Sequence, residues 1–311
     1  MLEPEQVDAF YSDGYLVIEN VISPEILSRV RAEYQANMDG LNSEWRLEDR
    51  FGGLSFSEQV EEAYSLGLEW FQPMDISLPG DRIKPDTAMH FGPATFEMLT
   101  SATLLDLVED LIGPELTSCP IQHVRIKPPE RQLEADELRA HVGGTDWHQD
   151  RAVALEEADQ TDMVTIWIAI TDATQENGCL QVLPHQADRM LSHCPQKQTA
   201  IAPGQVDTSR ALPLPVPAGG ILALHPLLPQ ASLPNRSDSI RWSFDIRFSR
   251  TGQPTGRSHF PDFVARSRAA PEQELRDWKA WRQMWIDARA RLSEAPHIEQ
   301  HRWQADSPAC A

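Results

Sequence analysis

Two residues near the middle of the chain have the types and the spacing of a metal site. His148 and Asp150 stand two positions apart, which on an extended segment places both side chains on one face. A neutral imidazole and a carboxylate side by side suit iron(II), as two corners of a facial triad with open positions opposite. A lone His-x-Asp also arises by chance, and the alternative is a surface histidine and aspartate in a loop.

A second set of polar residues has the chemistry of a carboxylate-binding site. Gln230 begins this set, and Arg241 lies eleven positions after it. A guanidinium group fits a carboxylate with two parallel hydrogen bonds and stays charged when buried. Ser232 and Ser243 offer hydroxyl groups to the same ligand. The alternative for Arg241 is a salt bridge to Asp245 on the same strand face.

The elements that must position these residues are strands, because the hydrophobic pattern changes from helical spacing to alternation at Cys119. Strands are predicted over 120–128, 164–171, 179–183, 220–225 and 241–249. In the last strand, large apolar side chains point one way and charged or polar side chains point the other. A polar face among apolar strands favours a barrel or sandwich whose interior is a binding site. The alternative is an edge strand with a solvated face.

Helices are predicted on both sides of the strand region. In the N-terminal part, a short helix over 5–12 precedes a strand over 14–19, and a longer helix begins at Ser23-Pro24-Glu25 and ends near Met38, before Gly40. A further helix is predicted over 95–111. Between these, the segment 41–90 is expected to be irregular and to form a lid that sets specificity; its aromatic and basic residues are Trp45, Arg46, Arg50, Phe51, Trp70 and His90.

The C-terminal part is predicted to be one amphipathic helix over 271–293. Trp278, Trp281 and Trp285 recur at intervals of three and four, which forms an apolar stripe. Such a stripe usually covers a sheet or builds a dimer, so docking within the chain and a homodimer through this helix are the two alternatives. The whole chain, 1–311, is interpreted as one domain, with N-terminal helices and lid in 1–118, a barrel core in 119–250 and a helical extension in 251–311.

Composition excludes several classes of protein. The chain has 311 residues and a net charge of −20, which should repel nucleic acid and anionic membrane surfaces. No run of about 18 apolar residues exists, so no membrane span is expected, and the acidic N-terminus lacks the pattern of a signal peptide. The four cysteines show no metal or redox spacing. The expectation is therefore reduced thiols and a cytoplasmic location.

Several of these segments together resemble the phytanoyl-CoA dioxygenase family of 2-oxoglutarate-dependent oxygenases. The resemblance spans about 5–250 and rests on four segments, namely the N-terminal Phe10-Tyr-Ser-Asp-Gly-Tyr-Leu-Val-Ile-Glu19, Trp147-His-Gln-Asp150, Asn177-Gly-Cys-Leu-Gln-Val-Leu-Pro-His185 and the block 220–249. It implies a mainly β fold with flanking helices, a double-stranded β-helix of the jelly-roll type. It also implies iron(II) as cofactor, with 2-oxoglutarate and O2 as cosubstrates.

The resemblance assigns roles to individual residues. His148 and Asp150 match two of the three iron ligands, and Arg241 matches the residue that binds the distal carboxylate of 2-oxoglutarate. Lys127 and Trp167 fall where the family lines its cosubstrate pocket. Ser232 and Ser243 are expected beside the same ligand.

The departure from the family is Gln230, which stands where the second histidine ligand is expected. An amide oxygen is neutral like imidazole but is a weaker ligand for iron(II), so iron affinity should fall. His225 is a less favoured substitute, because it lies five positions earlier and, on a regular strand, faces the opposite way. His123 is another residue on an inward face, assigned to the substrate.

Three functions remain open on the sequence. The first is an iron(II) oxygenase that acts on a C–H bond of a small molecule, with Gln230 as third ligand or near-ligand and with hydroxylation, desaturation or cyclisation as outcomes. The second is a redox-neutral isomerase or lyase that uses His148, Asp150 or His225 as acid and base. The third is a non-catalytic binding protein. Inward-facing Arg125, Lys127 and Arg247 indicate an anionic substrate, unless these residues serve only 2-oxoglutarate.

Overall fold

Two antiparallel sheets form the centre of the molecule in the computed structural model, which describes residues 1–80, 82–130, 143–195, 199–295 and 302–310. The larger sheet has six strands in the order β1-β8-β3-β10-β2-β11, the smaller has the order β7-β4-β9, and β5 and β6 form a separate pair. The strands are β1 (Tyr15–Ile18), β2 (Glu115–Lys127), β3 (Met163–Ala169), β4 (Leu180–Val182), β5 (His193–Pro195), β6 (Thr199–Ile201), β7 (Leu212–Leu214), β8 (Ile221–Leu224), β9 (Gln230–Ser232), β10 (Arg241–Arg250) and β11 (Phe263–Ser267). The predicted fold class, a jelly-roll arrangement with flanking helices, is confirmed.

Helices cover one face of the large sheet. They are α1 (Pro4–Asp13), α2 (Pro24–Trp45), α3 (Glu48–Phe51), α4 (Phe56–Ser65), α5 (Phe71–Met74), α6 (Pro93–Leu99), α7 (Ala102–Ile112) and α8 (Trp278–Ser293). The predicted end of α2 near Met38 is wrong. The helix continues through Gly40 to Trp45, because Leu41 and Asn42 beyond the glycine are buried. Their packing outweighs the cost of about 1 kcal/mol for a glycine inside a helix.

Two further predictions about the helices need correction. The helix expected over 95–111 is two helices, α6 and α7, separated at Thr100 and Ser101. The segment 41–74 is largely helical, whereas the described residues of 75–90 are irregular as predicted, and the lid assignment is wrong for Phe51 and Trp70. Both side chains are 1% exposed and belong to the main apolar core, so they stabilise the helical layer.

Strand β10 separates the core from the interior of the jelly roll. It lies between β2 and β3, so the alternative of an edge strand does not hold. Its apolar side chains pack against the helices: the Tyr34 ring lies 5.0 Å from the Trp242 ring and 5.7 Å from the Phe244 ring. The opposite face of β10 therefore points inward, and it carries Arg241, Ser243, Asp245 and Arg247.

The predicted boundaries of the barrel core do not match the sheet. Strand β1, within 1–118, pairs with β8, and β11, within 251–311, pairs with β2. The predicted C-terminal helix begins later, at Trp278, and its stripe packs within the chain. Trp281 and Trp285 contact the Phe91 ring at centroid distances of 4.6 and 5.1 Å. A homodimer through this helix therefore stays a prediction that the buried stripe does not support.

The expectation of four reduced cysteines is wrong. Cys194 in β5 and Cys310 near the C-terminus form a disulfide, whereas Cys119 and Cys179 are buried free thiols. The two paired cysteines stand 116 positions apart, so the sequence gives no spacing signal for the bond. Among the described residues, no helix has the length and apolar character that crossing a membrane requires.

Candidate active site

The metal-like residues meet where the segment before Asp150 pairs with β9. His148 and Gln230 exchange two backbone hydrogen bonds of 2.9 Å, so an isolated bridge holds the two residues opposite each other. Directly afterwards the chain turns into a short 3-10 helix that begins at Asp150. This turn brings the Asp150 Oδ1 atom to 3.7 Å from His148 Nε2. The spacing predicted from the sequence thus places both side chains together.

Both carboxylate oxygens of Asp150 already have partners within the chain. Gln230 Nε2 donates to Asp150 Oδ2 over 2.7 Å, and Arg247 Nη2 donates to Asp150 Oδ1 over 2.5 Å. Burial alone would raise the pKa of Asp150, but the Arg247 charge and His148 outweigh it and hold that pKa well below its ordinary value. Asp150 is therefore an anion whose charge a buried guanidinium compensates.

Arg241 lies at the other end of the same inward face, and its environment differs from that of Arg247. Its side chain is 1% exposed, its guanidinium carbon lies 5.4 Å from the centre of the Trp167 ring, and Nη1 donates to Ser243 Oγ over 2.7 Å. Nε has no hydrogen-bond partner among the described residues. Burial, together with the nearby Arg125, lowers the pKa of Arg241 to about 9. An anionic ligand would restore the charge balance at this position.

Lys127 is a second buried cation beside Arg241, since the two residues are register partners on β2 and β10. Its Nζ atom donates to Ser232 Oγ over 2.6 Å and to Thr145 Oγ1 over 3.2 Å. Burial and the charges of Arg241 and Arg125 hold the pKa of Lys127 well below its ordinary value. Among the described residues, neither Lys127 nor Arg241 has a carboxylate within ion-pair distance. The fold thus brings together all five residues predicted for the cosubstrate: Lys127, Trp167, Ser232, Arg241 and Ser243.

Comparison with known proteins gives this arrangement a family. The chain matches the family model of phytanoyl-CoA dioxygenase over residues 10–243. It belongs to the phytanoyl-CoA dioxygenase family. A curated relative, the phytanoyl-CoA dioxygenase domain-containing protein 1 homolog of Caenorhabditis elegans, is 21% identical over 77% of this chain and 88% of its own. The family places the chain among oxygenase-type, 2-oxoglutarate-dependent enzymes and their relatives.

Solved structures share the fold. The non-heme monooxygenase ThoJ in its apo form has a TM-score of 0.59 at 19% identity, covering 92% of this chain and 99% of its own. EvdO2 from Micromonospora carbonacea var. aurantiaca, solved with 2-oxoglutarate, has a TM-score of 0.53 at 21% identity and covers 81% and 92%. These likenesses support the jelly-roll architecture of this phytanoyl-CoA dioxygenase family member.

The two halves of the site fit the family's ligands unequally. On one side, Arg241 and Lys127 offer buried cations and their partners Ser243 and Ser232 offer hydroxyl groups, which fits the distal carboxylate of 2-oxoglutarate. On the other side, no group of three His, Cys, Asp or Glu side chains that would hold a metal is found among the described residues. A metal at His148 and Asp150 would therefore take its third ligand from Gln230 or from outside the protein.

Three other residues discussed from the sequence lie outside the two ligand-binding groups of residues or have partners of their own. His225 contacts the Phe10 ring at a centroid distance of 6.0 Å and receives a hydrogen bond from Leu227 N, so it packs against α1 and lies outside the site. Asp245 lies 3.7 Å from Arg247 and makes no salt bridge to Arg241. The assignment of Arg247 to an anionic substrate is weakened, because Arg247 pairs with Asp150. The alternation along β10 predicted that Asp245 and Arg247 face inward. It did not predict which charged residue each of them pairs with.

Proposed function

We propose that this family member binds 2-oxoglutarate through Arg241 and iron(II) through His148, Asp150 and Gln230, and oxidises a C–H bond of a small molecule. The observation that carries this proposal is Arg241, a fully buried guanidinium with an unpartnered Nε and no carboxylate partner among the described residues. Burying an unpaired charge is costly, so such a group is retained where a ligand compensates it. The likeness to EvdO2 with 2-oxoglutarate bound supports the same ligand.

The residues of the cosubstrate half have separable tasks. Arg241 would bind the distal carboxylate, and Ser243 fixes the guanidinium through its 2.7 Å hydrogen bond. Trp167 covers the guanidinium and keeps water from it. Lys127 and Thr145 both donate to Ser232 Oγ, through Nζ and the backbone N, so this hydroxyl is held in one orientation. Because these groups are buried and already oriented, little conformational entropy is lost on binding.

In the metal half, His148 Nδ1 contacts the backbone oxygen of Asp146 at 2.8 Å, which leaves Nε2 directed at Asp150 and available as a ligand. Gln230 must turn its amide to present its oxygen, because its nitrogen faces Asp150. Arg247 remains on the other oxygen of Asp150 and fixes the carboxylate. The chemistry that iron(II) supplies with 2-oxoglutarate and O2 is cleavage of an unactivated C–H bond, with hydroxylation or a related oxidation as outcome.

The test is a calorimetric titration of the protein with 2-oxoglutarate, with and without anaerobic iron(II), followed by measurement of succinate in air. Arg241→Met should weaken 2-oxoglutarate binding about ten- to 150-fold, since hydrogen bonds to charged groups contribute about 1.5–3 kcal/mol. Arg250→Met is the matched control, because Arg250 ends the same strand and its side chain is 51% exposed. Equal binding by the wild type and Arg241→Met would refute the cosubstrate assignment.

A second function is favoured by the pairing of Asp150 with Arg247. A carboxylate that the chain's own guanidinium neutralises does not need a metal for charge balance, which suits a redox-neutral enzyme or a binding protein in the same pocket. If 2-oxoglutarate binds equally well with a chelator present and succinate never forms, this second function replaces the first. Substrate turnover without iron or 2-oxoglutarate would then separate an enzyme from a binding protein.

A further inference from the structure

A histidine and a buried aspartate form a pair on the inward wall that neither the metal half nor the cosubstrate half uses. The Nδ1 atom of His123 lies 2.9 Å from Asp75 Oδ2. The other oxygen of Asp75 accepts hydrogen bonds from the backbone nitrogens of Val124 at 2.8 Å and Ile76 at 3.0 Å. Asp75 is 3% exposed, so three donors hold its carboxylate in place.

This pairing decides which nitrogen of His123 carries the proton. A carboxylate only accepts hydrogen bonds, so Nδ1 must be protonated to donate to Asp75. In the neutral ring Nε2 is then a hydrogen-bond acceptor. The His123 side chain is 26% exposed, and Nδ1 is the ring nitrogen with a recorded partner among the described residues. The ring therefore offers an oriented, accessible acceptor.

The register of the sheet places this acceptor on the inward face that also carries Arg241. Residues of β2 and β10 that face each other are Lys127 with Arg241, Arg125 with Ser243, and His123 with Asp245. Cross-strand partners project from the same face of a sheet, so His123 and Asp245 share the inward face with Arg241. Asp245 is a second acceptor. Its side chain is 18% exposed, and this exposure lies outside the Oδ1 atom, which is buried 3.7 Å from Arg247 without a hydrogen-bond partner among the described residues.

We propose that His123, oriented by Asp75, and Asp245 form an acceptor pair that binds a hydroxyl-bearing substrate. Two acceptors side by side select a molecule that donates hydrogen bonds, and a hydroxyl group donates one while accepting others. Asp75 is the positioning residue, because it acts through the ring of His123. The inference deepens the proposed function, since it names the substrate class of the same interior.

The first test measures the tautomer of His123 by nitrogen-15 NMR of the imidazole ring in the full-length protein. The wild type should carry the proton on Nδ1. In Asp75→Asn, the amide oxygen can keep the two backbone donors, and its NH2 group then faces Nδ1, so the proton should move to Nε2. A wild-type ring protonated on Nε2, or an unchanged tautomer in Asp75→Asn, overturns the positioning role.

The second test uses saturation-transfer NMR and calorimetry with a fixed panel of methyl glycosides and polyols and their deoxy analogues. At least one hydroxylated compound should bind, and its deoxy analogue should bind at least about tenfold more weakly. His123→Gln and Asp245→Asn should each weaken that compound about tenfold or more. His185→Gln is the control, because the His185 side chain is 69% exposed and pairs with Asp13.

The outcomes separate this inference from the proposed function. 2-Oxoglutarate affinity measured on His123→Gln should equal that of the wild type, which also shows that the variant folds. If no panel compound binds the wild type, or if His123→Gln binds as the wild type does, the acceptor pair is wrong even when 2-oxoglutarate binds. Failure of the wild type to bind 2-oxoglutarate counts against the cosubstrate assignment, whereas the tautomer and panel results still decide this inference.

Discussion

Replacing Gln230 by histidine tests how the altered third position sets iron affinity. In the present arrangement the amide nitrogen of Gln230 donates to the ionised Asp150 over 2.7 Å. To offer its oxygen to iron, the amide must turn and give up this charge-assisted bond, which is worth about 1.5–3 kcal/mol. At about 1.4 kcal/mol per factor of ten, that loss weakens iron binding about ten- to 150-fold.

Gln230→His removes the competing donor and supplies an imidazole nitrogen. Iron(II) affinity, measured by anaerobic calorimetry, should therefore rise by at least about tenfold. Succinate formation without substrate should rise as well. Gln230→Ala shows whether the wild-type amide is a ligand: affinity falls below that of the wild type if the oxygen binds iron, and rises if the amide only competes for Asp150.

The matched control is Gln181→His, on the neighbouring strand β4. Gln181 is the register partner of Ala231, so it projects from the face opposite to Gln230. A tighter site in this control would mean that any added histidine captures iron. Iron affinity of Gln230→His within about threefold of the wild type would refute the reasoning, because the hydrogen bond to Asp150 would then not be what limits binding.

Three further predictions concern charge and packing. Arg247→Gln should lower the free energy of unfolding at pH 7 by about 3–5 kcal/mol, because it leaves a buried carboxylate without its cation. The pKa of Asp150 is lowered in the folded state, so the stability it contributes is present above the ordinary aspartate pKa of about 3.9 and is lost as pH falls below that value. The difference in unfolding free energy between wild type and Arg247→Gln, measured with urea, should therefore be smaller at pH 3 than at pH 7. An equal difference at both pH values would contradict this prediction. Burial and the neighbouring Arg241 hold the pKa of Lys127 well below its ordinary value, so 2-oxoglutarate affinity measured by calorimetry should fall as pH rises toward the ordinary lysine pKa and should do so less in Lys127→Met. Trp281→Ala should cost about 3–5 kcal/mol in urea unfolding, whereas Trp278→Ala, outside the fully buried set, should cost clearly less; equal losses would place the apolar stripe elsewhere.

The sequence determined which residues face the interior and what family they resemble. Strict alternation along 241–249 was enough to separate Trp242 and Phe244 from Arg241 and Ser243, because side chains on a strand alternate between two faces whatever their neighbours are. The His-x-Asp spacing likewise placed His148 and Asp150 together. The family match over residues 10–243 confirms the resemblance, and the assignment of these residues as ligands stays a proposal.

The tertiary structure decided which partner each polar group takes. Arg247 and Asp150 are 97 positions apart, and Asp75 and His123 are 48 positions apart, in elements that local pattern does not connect. The register of β2 against β10 shifts between Asp245 and Arg247, and no periodicity predicts such a shift. The amide of Gln230 turned its nitrogen toward Asp150 because a buried carboxylate takes the nearest donor. The face on which a side chain lies follows from the backbone geometry of one segment. The ion-pair partner of a buried charge is fixed only when distant segments pack together and exclude water.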